Sequence, residues 1–367
     1  MSAYANYHDG MIIFGITDEQ KIIGISNPID FCLNIENQIN DSIKPRPDYS
    51  LKVNVDKTIS LFVKRGNSTP YRYNGKAYKR NDTSTIEVDE IEEKRLIMLG
   101  LNISFEEIPI EDKELSFSFL EKAFITKLEL SSFNLDVLKS LNLFDAKNGF
   151  NNAAKLLSDS NDFPGIDIAV FGNSFNIFKK RIILSGASIL KQYYDSLEIY
   201  KSEYIVEKIE NGFRKKYELV PFDAFRETIA NAIVHRVWDI NANTKVEMHL
   251  DKIIISSPGG LVADMTKEDY INGYYSYLRN PIIANVFRRL EIIEAFATGI
   301  KRINGSYKDA FVKPIYNVTN SAISVTLPII DKNNLNENEK RVLISLEQNR
   351  MYSRNEIEKI TGFSKDT

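Results

Sequence analysis

At 367 residues the chain is too long for one hydrophobic core and calls for two or three domains. With 43% apolar and 26% charged residues it has the balance of an ordinary globular protein, and a net charge of −3 excludes a surface that coats nucleic acid through bulk positive charge, so any such contact must come from a local patch. One cysteine, Cys32, excludes a disulfide within the chain and points to a reducing compartment; no apolar run approaches the roughly 20 residues that span a bilayer, and the opening Met1–His8 lacks the basic and apolar regions of a signal peptide, which together predict a cytoplasmic chain with no membrane partner.

The first 88 residues read as a small α+β domain. Apolar runs at 11–16 and 21–25, closed by a polar turn, predict a β-hairpin. Helical spacing runs from Ile29 to Ile43 and stops at Pro45 and Pro47. Lys52–Val55 and Ile59–Lys64 form a strand pair, and Asn74-Gly75 between β-prone segments marks a second hairpin. Residues 89–116, rich in Glu, Asp and Lys, read as a linker, and 117–157 as helical. Ile166–Phe171 is a strand, Ala187–Phe213 one long helix, and Asp223–Trp238 a second helix. Val246–His249 pairs with Ile253–Ser256; a polar loop leads to a helix from Pro281 to Leu290 and a strand at Ser321–Ile329. Helical pattern returns from Asn334.

Three stretches carry chemistry. Around Asn74-Gly75, a two-residue loop pairs Tyr73 with Lys76 and Tyr71 with Tyr78, and alternation puts all four on one face. Between Lys64 and Asp82 there are six basic residues, Lys64, Arg65, Arg72, Lys76, Lys79 and Arg80, against one acid. Aromatic faces stack bases and cations neutralise phosphate, so this hairpin is a candidate nucleic-acid surface. The alternative is that the tyrosines pack inward and the charges are solvated.

In Arg226-Glu-Thr-Ile-Ala-Asn-Ala-Ile-Val-His-Arg236, residues Glu227, Asn231 and His235 recur every four positions and share a helix face. An amide oxygen can ligate Mg²⁺ and a carboxylate can orient a water. Downstream, Gly259-Gly260 ends a strand where backbone can approach a ligand, and Thr298-Gly299 opens a helix whose N–H groups suit phosphate. The third stretch, from Asn336 to Thr367, offers Ser353 as a helix cap and Gly362 as a turn, as in a helix-turn-helix.

These stretches resemble one family. Tyr4-Ala-Asn to Gly15-Ile-Thr-Asp18, with Tyr78-Lys-Arg80, is similar to the Schlafen-type (AlbA-like) DNA-binding domain. Some members of that family cleave RNA with clustered carboxylates. Asp18 matches the last of these, but the earlier acidic segment has no counterpart, so the domain reads as N-terminally incomplete and Asp18 equally as a solvated turn residue. Residues 226–236, 253–261, 279–289 and 296–302 resemble a divergent GHKL-type ATPase domain, and the C-terminal stretch a winged helix-turn-helix.

The resemblance implies an α+β multidomain protein. A Schlafen-like domain would occupy 1–88, a linker 89–116, a helical plus Bergerat-like α/β sandwich domain 117–331 and a truncated winged helix-turn-helix 332–367. It further implies a DNA-binding transcriptional regulator with ATP and Mg²⁺ as cofactors. Glu227 would be the catalytic base, Asn231 the magnesium ligand, and Asn231, His235, Gly259, Gly260, Thr298 and Gly299 the nucleotide site. Ser256-Ser257 stand where such domains place an adenine-binding aspartate, which predicts weak affinity, poor base selectivity and at most a weak ATPase. The alternatives are a nucleotide-dependent ATPase or nuclease acting on nucleic acid, and a dimerisation scaffold built on a fossil nucleotide fold. A homodimer is compatible with any of the three.

Overall fold

The computed structural model describes residues 1–174, 176–210, 212–262, 265–274, 277–294, 298–330 and 352–362. It is α+β throughout and divides into two compact units, Met1–Ser104 and Phe105–Thr367.

The first unit opens with α1 (Ser2–Tyr7) and β1 (Gly10–Phe14). Helix α2 (Pro28–Ser42) starts with proline in its first turn and turns Ile35 and Ile39 inward. Strands β2 (Ile43–Lys44), β3 (Tyr49–Val53) and β4 (Ile59–Val63) follow, then β5 (Arg72–Tyr73), β6 (Lys76–Asn81), β7 (Ser84–Glu87) and α3 (Glu90–Leu101). They make two antiparallel sheets, ordered β1-β4-β3 and β2-β5-β6-β7. The expected first hairpin reduces to one bridge, Ile16 to Ile22, because β1 spends its ladder on β4. The expected linker is also revised. Asp89 caps α3 through its side chain, Leu96 is buried with Ala77 and Val88, and Thr69 Oγ1 donates to the Leu96 carbonyl at 2.7 Å. Of the segment's acids, Glu92 and Glu93 are half-buried on α3, paired with Lys79 of β6 and Arg72 of β5.

The second unit begins with a single 3₁₀ turn at Phe105–Glu107. Next come α4 (Ser118–Leu128), α5 (Leu135–Ser140), the short strands β8 (Phe144–Asp145) and β9 (Gly149–Phe150), and α6 (Asn152–Leu157). Strands β10 (Ile166–Phe171) and β11 (Phe178–Leu184) lead to α7 (Ile189–Tyr204), the hairpin β12 (Ile205–Glu210) and β13 (Phe213–Glu218), and α8 (Phe222–Val234). Then follow β14 (Thr244–Met248), β15 (Lys252–Pro258), α9 (Lys267–Asn272), α10 (Pro281–Arg289), α11 (Gly299–Ser306), β16 (Ile315–Val318) and β17 (Ala322–Pro328).

Six strands form one sheet in the order β11-β10-β14-β15-β17-β16, in which only β10 and β14 run parallel. One core cluster joins Ile253, Ile255, Val325 and Leu327 of this sheet to Ile229 and Ile233 of α8, Phe287 of α10 and Ile303 of α11. The expected long helix 187–213 stops at Tyr204, where the chain enters the β12–β13 hairpin, with Gly212 at φ +81°. The expectation for 332–367 falls mostly outside the described residues. Within 352–362, α12 (Arg354–Thr361) carries a capping box in which Ser353 Oγ and the Glu356 carboxylate each accept the other's backbone N–H, and Gly362 is left-handed. Among the described residues no helix is long and apolar enough to cross a membrane.

Candidate nucleotide cavity and candidate nucleic-acid face

Helix α8 holds its 226–234 stretch in place because Phe225, Ile229 and Ile233 are buried in the core. That orientation turns Thr228, Asn231 and His235 toward β15 and α11. A cavity of about 120 Å³ opens between them. Of the residues singled out for a nucleotide site, Asn231, His235, Gly259, Gly260 and Gly299 all line it, together with Thr228 and Ser257. Ile255, Ile303 and Val325 supply apolar wall, and Tyr270 and Tyr277 stand at its margin. Thr298 is not on the wall; it precedes α11 and makes no capping bond.

Both glycines of the turn are required by space. A Cβ on Gly259, whose φ is +104°, would lie 2.2 Å from Val237 Cγ2, and one on Gly260 would lie 2.6 Å from the Asn320 carbonyl. The turn is fixed from a direction the sequence did not suggest. Arg279 donates to the His235 carbonyl at 2.7 Å and to the Gly260 carbonyl at 2.9 Å. Asn280 donates to the Val234 and Arg236 carbonyls, both at 2.8 Å. These two residues tie the end of α8 to the glycine turn. They directly precede Pro281, so their adjacency to a helix start was visible but their targets were not.

The polar groups on the wall have a defined sense. Thr228 Oγ1 donates to the Ala224 carbonyl at 2.7 Å, and Ser257 Oγ to the Ala232 carbonyl at 2.8 Å. A carbonyl cannot donate, so each hydroxyl has used its only proton and presents lone pairs alone. Ser256 points to the opposite face, where it bonds Ser324 at 3.0 Å. Of the serine pair, only Ser257 reaches the cavity.

Burial and the Arg279 cation lower the His235 pKa from its usual 6.5 to about 4, so the ring is neutral at physiological pH. Between these values the unfolded chain binds a proton that the folded chain does not. Stability should therefore fall as pH drops from about 6.5 toward 4, and His235→Gln should flatten that slope in chemical denaturation. An unchanged slope in the variant would assign the acid sensitivity to other groups.

Glu227 lies behind the wall. It is 4% exposed. A Cβ on Gly299 would come within 2.6 Å of its Oε1 and 2.8 Å of Asn231 Nδ2. Burial raises its pKa, partly offset by Arg226, Arg302 and Asn231. Of the atoms a magnesium site would use, the Asn231 amide is therefore at the wall and the Glu227 carboxylate is against α11. Nearby Arg236 is buried for another purpose. It donates to the Gly165 carbonyl and Thr244 Oγ1, both at 3.2 Å, and to the Ala242 carbonyl, and it stacks on Trp238 at 4.4 Å.

In the first unit, the Asn74-Gly75 hairpin forms with Tyr73 opposite Lys76 and Arg72 opposite Ala77. Tyr71 leaves the expected shared face. Asn6 accepts from its N–H at 2.7 Å, while Ser2 Oγ and Asn6 Nδ2 donate to its carbonyl, so its backbone is tied to α1 and its ring is buried. Tyr73 and Tyr78 remain as an edge-on pair at 6.4 Å. The local excess of positive charge is also answered. Lys64 pairs with Asp48 at 3.5 Å, Arg72 with Glu93 at 2.8 Å, Lys76 with Glu87 at 2.7 Å, and Lys79 with Glu92. Arg80 donates to Thr85 Oγ1 and the Asp82 carbonyl, both at 3.0 Å, and Asp9 accepts from the Arg65 backbone N–H at 2.7 Å. The acids of these four pairs come from outside the 64–82 window, two from α3, one from β7 and one, Asp48, from just before β3. Asp18 is exposed in the turn after β1.

Comparison with known proteins fits this division. The family described as "Schlafen, AlbA_2" matches residues 1–89. The family described as "Putative ATP-dependent DNA helicase recG C-terminal" matches residues 241–327. The chain thus carries one region similar to a Schlafen-type domain and one similar to an ATPase-type domain. None of the curated proteins matches it. Among solved structures, the DIP2311 protein from Corynebacterium diphtheriae is similar in fold, with a TM-score of 0.54 and 20% identity over 94% of this chain and 74% of that one.

Proposed function

We propose that this chain is a nucleic-acid-binding protein whose second unit responds to an adenine nucleotide, acting as a DNA-binding transcriptional regulator. The observation that carries the reading is the convergence of Asn231, His235, Gly259, Gly260 and Gly299, from three separate stretches, on one cavity. The similarity of residues 241–327 to an ATPase-type domain and of 1–89 to a Schlafen-type domain supports it. In this reading the base is adenine, set with its exocyclic amine toward Thr228 and Ser257, which can only accept. An exocyclic amine meets them with donors, whereas the guanine carbonyl would face two acceptors unpaired. That geometry argues for more base selectivity than the loss of an aspartate alone suggests.

The hairpin of the first unit would bind DNA by exchanging its carboxylate partners for phosphates. Exposed ion pairs such as Lys76–Glu87 are weak enough to allow this. In this reading α12 would be the capped helix that precedes the recognition helix of a winged helix-turn-helix. Turnover is not part of the reading, because Glu227 lies behind the wall rather than on it.

The test is anisotropy of a labelled duplex titrated with the full chain, alone and with adenosine, ATP or guanosine at millimolar concentration. An adenine ligand should shift DNA affinity by about fivefold or more, the lower end of typical coupling, and guanosine should not. DNA affinity indifferent to every nucleotide would sink the responsive-regulator reading.

A further inference from the structure

The cavity wall offers acceptors whose protons are already used, and beside them a ring that has used none of its own. Thr228 and Ser257 have spent their hydroxyl protons on carbonyls of α8. Arg279 reaches the wall, but two of its nitrogens are spent on the His235 and Gly260 carbonyls. The Asn231 amide is turned toward Gly299 and Glu227. His235 differs from all of these. It lines the cavity, and only its backbone is bonded: its N–H donates to the Asn231 carbonyl at 3.0 Å and its carbonyl accepts from Arg279. Among the described residues neither ring nitrogen meets a protein group.

The ring is neutral at physiological pH, so in either tautomer it carries one N–H donor and one lone pair. A donor kept from bulk water and left unmet is costly, so a polar ligand atom or a water belongs beside it. The neighbouring acceptor is Ser257. Its Oγ is fixed on the carbonyl of Ala232, in the last turn of α8, the turn that His235 closes. An acceptor and a donor therefore stand within one helical turn of each other on the same wall. Adenine presents the complement: an amine that donates, flanked by N1 on one side and N7 on the other, both of which accept.

We propose that His235 donates its ring N–H to the base nitrogen beside the exocyclic amine, so that Ser257 and His235 together read one edge of the base. The proposal rests on the adenine reading above and adds to it the second contact that fixes the base in its plane. A lone hydroxyl accepting from the amine leaves the base free to pivot about that bond, whereas two adjacent bonds of opposite sense set both its position and its edge.

The experiment is calorimetry of the full chain with adenosine, guanosine, 1-deazaadenosine and 7-deazaadenosine, on wild type and His235→Phe. Each deaza analogue keeps the amine and replaces one flanking nitrogen by C–H. Phenylalanine keeps a planar ring without its polar atoms, and thermal melts check that the variant is folded. Wild type should bind at least one deaza analogue about tenfold or more weaker than adenosine, the effect of leaving one buried donor unmet. The analogue that loses affinity names the edge. In His235→Phe that ratio should fall to about one, whatever happens to the absolute affinities. Wild type binding both analogues as well as adenosine overturns the proposal without reference to the variant. Folded His235→Phe keeping the full ratio also overturns it, since the donor is then another group. In either case, adenosine still preferred over guanosine leaves the adenine reading standing, and only the role of His235 is lost. If folded wild type gives no heat with adenosine, or binds guanosine equally well, the adenine reading is refuted and the proposal goes with it.

Discussion

Arg236→Ala should destabilise the second unit by about 3 kcal/mol or more. The guanidinium is 1% exposed and donates to three acceptors, the Gly165 and Ala242 carbonyls and Thr244 Oγ1. The Gly165 carbonyl keeps its bond from the Thr244 N–H, but each acceptor left unmet in a buried setting costs roughly 1–3 kcal/mol, and incoming water recovers part of this. The Trp238 face loses its cation as well. Burial lowers the Arg236 pKa to about 10, so the group is charged at neutral pH, and its charge is answered by carbonyl dipoles rather than by a carboxylate. Arg236→Lys should recover little, because one ammonium cannot span a fan of acceptors set by a planar fork. Urea midpoints of the three proteins check this. A loss below about 1 kcal/mol in the alanine variant would mean that the fan is dispensable.

The second large effect is expected at Glu106, where Glu106→Ala should cost about 3 kcal/mol and loosen α10. One carboxylate oxygen accepts from the Ile282 N–H and the other from the Ile283 N–H, the latter at 2.9 Å. These amides belong to the first turn of α10, where an anion also meets the helix dipole. Removing the side chain leaves two buried amides unmet, at roughly 1–3 kcal/mol each, whether the carboxyl is protonated or not. Burial raises the Glu106 pKa from 4.5 to about 7, opposed by the two amides. In that window the folded chain holds a proton the unfolded chain releases, so this group's contribution weakens as pH rises from about 4.5 to 7. Denaturation across that range compares the two proteins. Equal stability at pH 5, where the native group binds best, would show that α10 does not need this cap.

What could be read in advance followed the reach of the signal. Amphipathic spacing found α2, α8 and α10, and the Asn74-Gly75 dipeptide found its hairpin, because each depends on neighbours within a turn or two. The long helix expected at 187–213 failed on the same kind of evidence. Asn211-Gly212 is the same turn signal, but Ile, Leu and Tyr spacing in α7 continues into β12 and masked it. The site was legible where helical periodicity set a face, as with Asn231 and His235. Thr228 shares that face, three residues before Asn231, and was open to the same reasoning. Arg279 and Glu106 were not, since their partners lie 44 and 176 residues away. The hairpin was misjudged for the same cause. Its acids, Asp48, Glu87, Glu92 and Glu93, all lie outside residues 64–82.

The Glu106 clamp also bears on how this chain can be divided. From the 3₁₀ turn at 105–107 the contacts run to the first turn of α10, then through Asn280 and Arg279 to the end of α8 and the Gly260 turn. These pieces lie up to 177 residues apart in the sequence, so they should open and close as one cooperative block, with amide exchange at Ile282 and Ile283 tracking that of the glycine turn. A fragment begun at Phe117, where the sequence alone would place the domain start, omits the first link. One begun at Phe105 keeps it and is the cut expected to preserve the cavity.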